Sequence, residues 1–137
     1  PGRFTIIAEW SSQVRRIFTD GRKHPPEDEM DATFNGHSTG HWEGATLVVD
    51  TIGIRGDTSF DASPLTHSDR VTIRERIRMT AKDAWEDEIT VTDPVALTKP
   101  WIVTRHYKRA APDQQILEYI CEENNRDIFL PGQNKQP

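Results

Sequence analysis

The sequence predicts an all-β fold: an antiparallel meander closing into a small barrel, with a β-sandwich or jelly roll as the alternative. Three observations predict it. Apolar residues recur at every second position in several segments, and nowhere do they keep the three-and-four spacing of a long amphipathic helix. Turn-forming residues separate most of those segments. The chain has 137 residues, too few for two full domains and enough for one core without disulfide or metal staples.

In order, strands are expected over about Phe4 to Trp10, Gln13 to Thr19, His41 to Ile52, Arg70 to Thr80, Trp85 to Thr92, Trp101 to Lys108 and Gln115 to Cys121. Asp20-Gly21, Lys82-Asp83, Asp93-Pro94 and Ala111-Pro112-Asp113 supply reversals between them. Two longer connections, Arg22 to Thr39 and Gly53 to Asp69, interrupt the meander, and loops of that length in a small domain are often functional. Residues 1–130 read as a single β domain and residues 131–137 as a C-terminal tail without apolar period. An antiparallel meander must cover its apolar face by closing on itself or folding into two layers. Gly40-His41-Trp42-Glu43-Gly44 leads into the longest strand and resembles the Gly-x-Trp with which lipocalin-like barrels plug one end. That resemblance bears on fold class and favours a lipocalin-like barrel; Trp42 is also taken as a candidate ligand-contacting residue.

Composition excludes several function classes. Seventeen basic side chains against 22 acidic ones give a net charge of −5. Nucleic-acid binders carry a basic patch and a high pI, so no nucleic-acid partner is expected. The longest apolar runs, Ile6 to Ala8 and Leu47 to Val49, are three residues long, so no helical membrane span is expected. Cys121 is the single cysteine, which excludes an intrachain disulfide and a multi-Cys zinc site, and its strand-like surroundings read as those of a small buried hydrophobe. The chain opens at Pro1 without an initiator Met and reads as a piece of a longer product. No Gly-x-Ser-x-Gly elbow, phosphate-cradling Gly-Lys-Ser/Thr loop, dinucleotide fingerprint or His-Glu-x-x-His is present.

Strand alternation singles out charges that fall in phase with core residues, where they must be paired, neutralised or functional. Glu75 shares a phase with Val71, Ile73, Ile77 and Met79, while Thr72, Arg74, Arg76 and Arg78 take the other face. Asp87 shares a phase with Trp85, Ile89 and Val91, and Arg105 with Trp101, Val103 and Tyr107. Glu9 and Arg16 are further inward candidates. One reading is a buried ion-pair network of Glu75, Asp87 and Arg105, with Tyr119 hydrogen-bonded to it. The other is a ligand cavity in which a desolvated Glu75 acts as general acid or base while Arg105, Tyr119 and Asp87 orient a small organic molecule. An elimination or isomerisation is the reaction such groups would serve.

Among the histidines, His37 and His41 stand four apart, but on an extended strand their rings would lie roughly 13 Å apart. His37 and His67 form a matched pair: each lies in or near a long connection and is followed by Ser. Both could reach one site as acid/base partners of Glu75. No cofactor is expected, and a metal held by His37, His67 and a carboxylate such as Glu75, Asp57 or Asp61 is the alternative. His24 and His106 read as surface residues.

Several stretches together carry a family resemblance: Val14-Arg15-Arg16-Ile17-Phe18-Thr19-Asp20-Gly21-Arg22, Gly36-His37-Ser38, Trp42-Glu43-Gly44, Leu47-Val48-Val49-Asp50-Thr51, Leu65-Thr66-His67-Ser68, Glu75-Arg76, Thr98-Lys99-Pro100-Trp101 and Glu118-Tyr119-Ile120-Cys121-Glu122-Glu123-Asn124. This ordered series resembles a group of uncharacterised, mostly signal-peptide-bearing proteins of Proteobacteria and Acidobacteria. His41 departs from the Arg expected at its place. The resemblance implies a periplasmic or secreted setting and supplies no catalytic assignment. The leading expectation is therefore an exported β-barrel that binds a small organic molecule. The alternatives are an accessory subunit, paired with copies of itself or with a partner through exposed strand edges, and a His-based metalloenzyme.

Overall fold

The computed structural model describes residues 2–59 and 66–117, with Trp10 described for its backbone only. Seven strands form one sheet in chain order: β1 (Arg3–Ala8), β2 (Gln13–Phe18), β3 (His37–Glu43), β4 (Thr46–Ile52), β5 (Thr72–Ala81), β6 (Ala84–Thr92) and β7 (Trp101–Lys108). The sheet curls into a half-barrel, up-and-down in its order as in lipocalin-like barrels. No second layer of strands packs against it among the described residues. None of their helices is long and apolar enough to cross a membrane.

Three expectations are corrected. The single strand expected over His41 to Ile52 is a hairpin. Glu43 pairs with Thr46 across a two-residue turn, and Gly44 at its first position has φ +59°. Glycine occupies that left-handed conformation without steric cost. Second, the meander is antiparallel at every joint except β2–β3, which is parallel and contains only the pairs Ile17↔Ser38 and Phe18↔Thr39. The connection of 18 residues between them carries the chain back along the sheet, and a parallel pair requires such a crossover. Third, residues 115–117 of the expected Gln115 to Cys121 strand are not in a strand, and the rest of it, with Cys121 and Tyr119, lies outside the described residues. The tail over 131–137 and the loop residues Phe60, Asp61, Pro64 and Leu65 also lie outside them. The segment after β7 returns to the opposite edge of the sheet, where the Leu117 N–H donates to Glu9 Oε2 at 3.2 Å.

Register puts one set of residues on the concave face: Phe4 and Ile6, Arg15 and Ile17, Ser38, Gly40 and Trp42, Leu47, Val49 and Thr51, Ile73, Glu75, Ile77 and Met79, Trp85, Asp87, Ile89 and Val91, Trp101, Val103, Arg105 and Tyr107. The phases expected for β5, β6 and β7 hold at every one of these positions. In β2 the inward arginine is Arg15 and not Arg16, and Glu9 lies in the exposed β1–β2 turn.

Two apolar clusters occupy this face. Ile17, Leu47 and Val49 pack with Ile6 and Ile77, while Ile54, Val71 and Val91 pack with Ile73, Ile89 and Leu97. Ile17 reaches β4 because β3 is thin between them. A Cβ on Gly40 would lie 2.9 Å from Ile17 Cγ2 and 3.3 Å from Leu47 Cδ1. The convex face is polar and carries cross-strand ion pairs, Arg74–Asp50 at 2.7 Å and Arg76–Glu43 at 3.0 Å.

Candidate active site on the concave face

On β5, Glu75 stands between Ile77 of the first apolar cluster and Ile73 of the second, and it is 5% exposed. A carboxylate there requires a partner. Arg15 supplies it from β2: Nη1 donates to Glu75 Oε1 at 2.7 Å and Nη2 to Oε2. The same guanidinium donates to Ser38 Oγ from Nε at 3.2 Å and to Thr51 Oγ1 from Nη2 at 2.7 Å. Ser38 and Thr51, both buried, lie 2.8 Å apart through their hydroxyl oxygens. Small side chains on β3 and the curl of the sheet allow one arginine to span from β2 to β5. The fork geometry makes this a bidentate, charge-assisted pair.

Asp87 lies across from Ile77 on β5 and Arg105 on β7. It is buried, and its Oδ1 has no hydrogen-bond partner among the described residues. Burial raises its pKa from 3.8 to about 7. The negative charge of Glu75 and a hydrogen bond that protonated Asp87 gives Glu75 add to the effect, and the charges of Arg15 and Arg105 oppose it. Asp87 therefore exchanges its proton near neutral pH. Arg105 is exposed and makes no ion pair among the described residues.

Beside this polar group is a largely apolar cavity of about 300 Å³, lined by Phe4, Trp42, Leu47, Ile77, Met79 and Trp85. Ile77 and Trp85 are also the neighbours of Asp87 across and along the strands. Trp85 stacks on Tyr107 with ring centroids 5.6 Å apart and planes 13° from parallel. Trp42 is 59% exposed at the cavity wall, so it borders an open space and does not plug one.

Glu75, Asp87 and Arg105 thus share one face, as alternation led us to expect, and Trp42 lies on the same face. The expected histidine partners are elsewhere. His37 faces outward at the start of β3, stacked on Phe18 at 5.3 Å and within 2.8 Å of His24 through their Nδ1 atoms. His24 is accordingly half-buried rather than a plain surface residue. His67 is buried in the connection before β5, where its Nε2 meets Thr58 Oγ1 at 2.8 Å and its Nδ1 the Ser68 carbonyl at 3.0 Å. His37 and His67 belong to different hydrogen-bond groups. Among the described residues no three His, Cys, Asp or Glu side chains converge as a metal site. His106 is exposed, as expected.

Sequence reasoning missed Arg15, Ser38 and Thr51. The segment Gln13-Val14-Arg15-Arg16-Ile17-Phe18 has apolar residues in both phases, so alternation alone does not choose between the two arginines. Comparison with known families, with curated proteins and with solved structures finds no match to the chain.

Proposed function

We propose that the concave face binds a small amphipathic organic molecule and that Asp87 is its proton-exchanging group. The observation that carries this reading is the buried carboxyl of Asp87, with one oxygen unpartnered among the described residues and its proton held to about pH 7, beside an apolar cavity. A general acid or base serves best when its pKa lies near the working pH. Both oxygens of Glu75 are committed to Arg15, so Asp87 takes the role that alternation gave to Glu75. Arg105 offers its guanidinium to a carboxylate or carbonyl of the ligand. Phe4, Trp42, Ile77, Met79 and Trp85 take its apolar body. An elimination or isomerisation, in which one group moves a proton near a polarised carbonyl, fits this set.

The test uses the intrinsic fluorescence of Trp42 and Trp85, titrated with a panel of amphipathic carboxylic acids, lactones and enones. Saturable quenching that weakens about tenfold or more in Arg105→Gln, with Asp87→Asn binding but not turning over the ligand, supports the reading. A panel that leaves the emission unchanged in the wild type refutes it.

The edges at β1 and β7, unpaired with any strand among the described residues, favour a second reading, an accessory subunit that pairs its edge strands with a copy of itself or a partner. Light scattering on a size-exclusion column tests it, and a monomer at all concentrations counts against self-association. The periplasmic or secreted setting is part of the leading proposal, and fractionation of cells making the full gene product tests it.

A further inference from the structure

His24, in the connection after β2, and His37, at the start of β3, meet through like atoms, Nδ1 to Nδ1 at 2.8 Å, with ring centroids 5.0 Å apart and planes at 71°. That is a hydrogen-bond distance, so one nitrogen donates its N–H and the other accepts with its lone pair. Thr39 Oγ1, 3.1 Å from His24 Nε2, is a hydroxyl that suits either tautomer of His24. One extra proton is tolerated, because a cationic ring donates its Nδ1–H and the neutral ring still accepts. Two are not. Each imidazolium carries a hydrogen on both nitrogens, so two N–H groups and two positive charges would face each other across 2.8 Å.

The contact closes over the shortest joint of the sheet. β2 and β3 share only the pairs Ile17↔Ser38 and Phe18↔Thr39, and His24 reaches His37 and Thr39 beside them. Phe18 stacks on the His37 ring, and the Arg22 guanidinium lies 4.0 Å from the centre of the Phe18 ring. The connection is tied again farther on, where Met30 lies against Gly53 and the Thr33 N–H donates to the Gly53 carbonyl at 3.0 Å. Residues 20–29 are therefore the span that the histidine contact holds to the sheet.

The charges around the pair come from five strands and the connection itself. Arg22 is paired with Asp20 at 2.6 Å. Arg16 lines the same hollow as His37, and Arg3 stands opposite Phe18 on β1; neither has an ion pair among the described residues. His41, two positions along β3, is held by Glu43 at 3.3 Å. Asp50 on β4 stands opposite Thr39, and Arg74 on β5 holds it at 2.7 Å. Burial holds both rings below the usual imidazole range. The charge of His37 adds to this for His24 and that of Arg22 for His37, while Asp50 opposes it for His24.

We propose that the His24–His37 contact is an acid-released clasp: it holds residues 20–29 over the outward side of the β2–β3 joint while the pair carries at most one extra proton, and frees them when both rings are charged. The released form takes up protons more readily than the closed one. The closed form is thus favoured at neutral pH and loses ground as pH falls below about 6.5, the ordinary imidazole value, with the opening constant growing about tenfold per pH unit for each proton taken up on opening. The clasp lies on the other side of the sheet from the concave face and does not depend on its role.

The test is a long-range proton–nitrogen correlation of the imidazole rings of the full chain, with amide spectra, followed from about pH 8 to pH 5. At neutral pH we expect one protonated and one bare Nδ1 in the pair. In acid the second ring charges below about pH 6.5, and the amide signals of residues 20–29 move with it while those of β4 to β6 stay. Arg22→Gln shifts this step to higher pH and Asp50→Asn to lower pH. His24→Asn, whose side chain does not charge, abolishes the amide response. Two rings that titrate independently at the ordinary value, amides of residues 20–29 that stay unmoved when both rings are charged, or the same amide response in His24→Asn overturns the proposal. Should His24→Asn fail to fold, the wild-type titration alone decides by the first two outcomes.

Discussion

Replacing Asp87 by Asn tests the central physical claim, that burial of this carboxyl costs stability once its proton leaves. In the unfolded chain the group titrates near 3.8 and in the folded chain near 7. Between those values the folded state holds a proton that the unfolded state has lost. Unfolding then releases a proton, and stability falls as pH rises. The contribution is whole below pH 3.8 and is lost as pH passes through about 7. The gap corresponds to about 4 kcal/mol, lost at about 1.4 kcal/mol per pH unit. Asn keeps the shape, stays neutral, and can donate to Glu75 as protonated Asp87 does. The variant should therefore match the wild type near pH 4 and exceed it by about 3–4 kcal/mol at pH 8. Urea unfolding of both proteins at half-unit steps from pH 4 to pH 8 measures this, and the difference between the curves cancels the other titrating groups. A difference that does not change with pH, or a variant less stable than the wild type at pH 8, refutes the reasoning.

Arg15→Met should destabilise by about 3 kcal/mol, because Glu75 then keeps a buried charge without its partner. Adding Glu75→Gln to that variant should recover much of the loss in the same urea assay. Asp93 accepts hydrogen bonds from the Ser68 N–H at 2.6 Å, the Ser68 hydroxyl at 2.8 Å, and the Val95 and Ala96 N–H groups at 2.9 and 3.0 Å. Burial pushes its pKa up, but these bonds outweigh it and bring the value to about 2. Its contribution of about 2 kcal/mol is whole above pH 4 and lost as pH falls toward 2, so Asp93→Ala should flatten the acid limb of the stability curve. Gly36→Ala should cost more than about 2 kcal/mol by thermal unfolding. Gly36 has φ +62°, and an added Cβ would lie 2.6 Å from the Ile52 carbonyl oxygen.

What was legible in the sequence was what a period of two can carry. Thr72-Ile73-Arg74-Glu75-Arg76-Ile77 alternates cleanly because one face meets apolar clusters and the other meets water, so Glu75 was placed without any contact being known. The same rule placed Asp87 and Arg105. The β3–β4 turn escaped notice because Glu43-Gly44-Ala45-Thr46 lacks the Asn-Gly or Asp-Gly that usually marks a two-residue reversal. His24 and His37 meet across a connection without regular alternation, and nothing local in either segment signals the contact. The choice of Asp87 over Glu75 as the titrating group depends on Arg15, which arrives from another strand.

The short parallel joint between β2 and β3 has a mechanical consequence. Two ladder pairs hold the β1–β2 hairpin to the five strands that follow, whereas every other joint is paired along most of its length. The hairpin is held to the larger body chiefly by side chains, Ile6 and Ile17 in the apolar cluster and the Arg15 guanidinium on Glu75 and Thr51. Amides of β1 and β2 should exchange hydrogen through an opening that leaves β4 to β6 protected. That opening would withdraw Arg15 from Glu75, so the contact that stabilises the fold also holds the charge of its buried glutamate in balance.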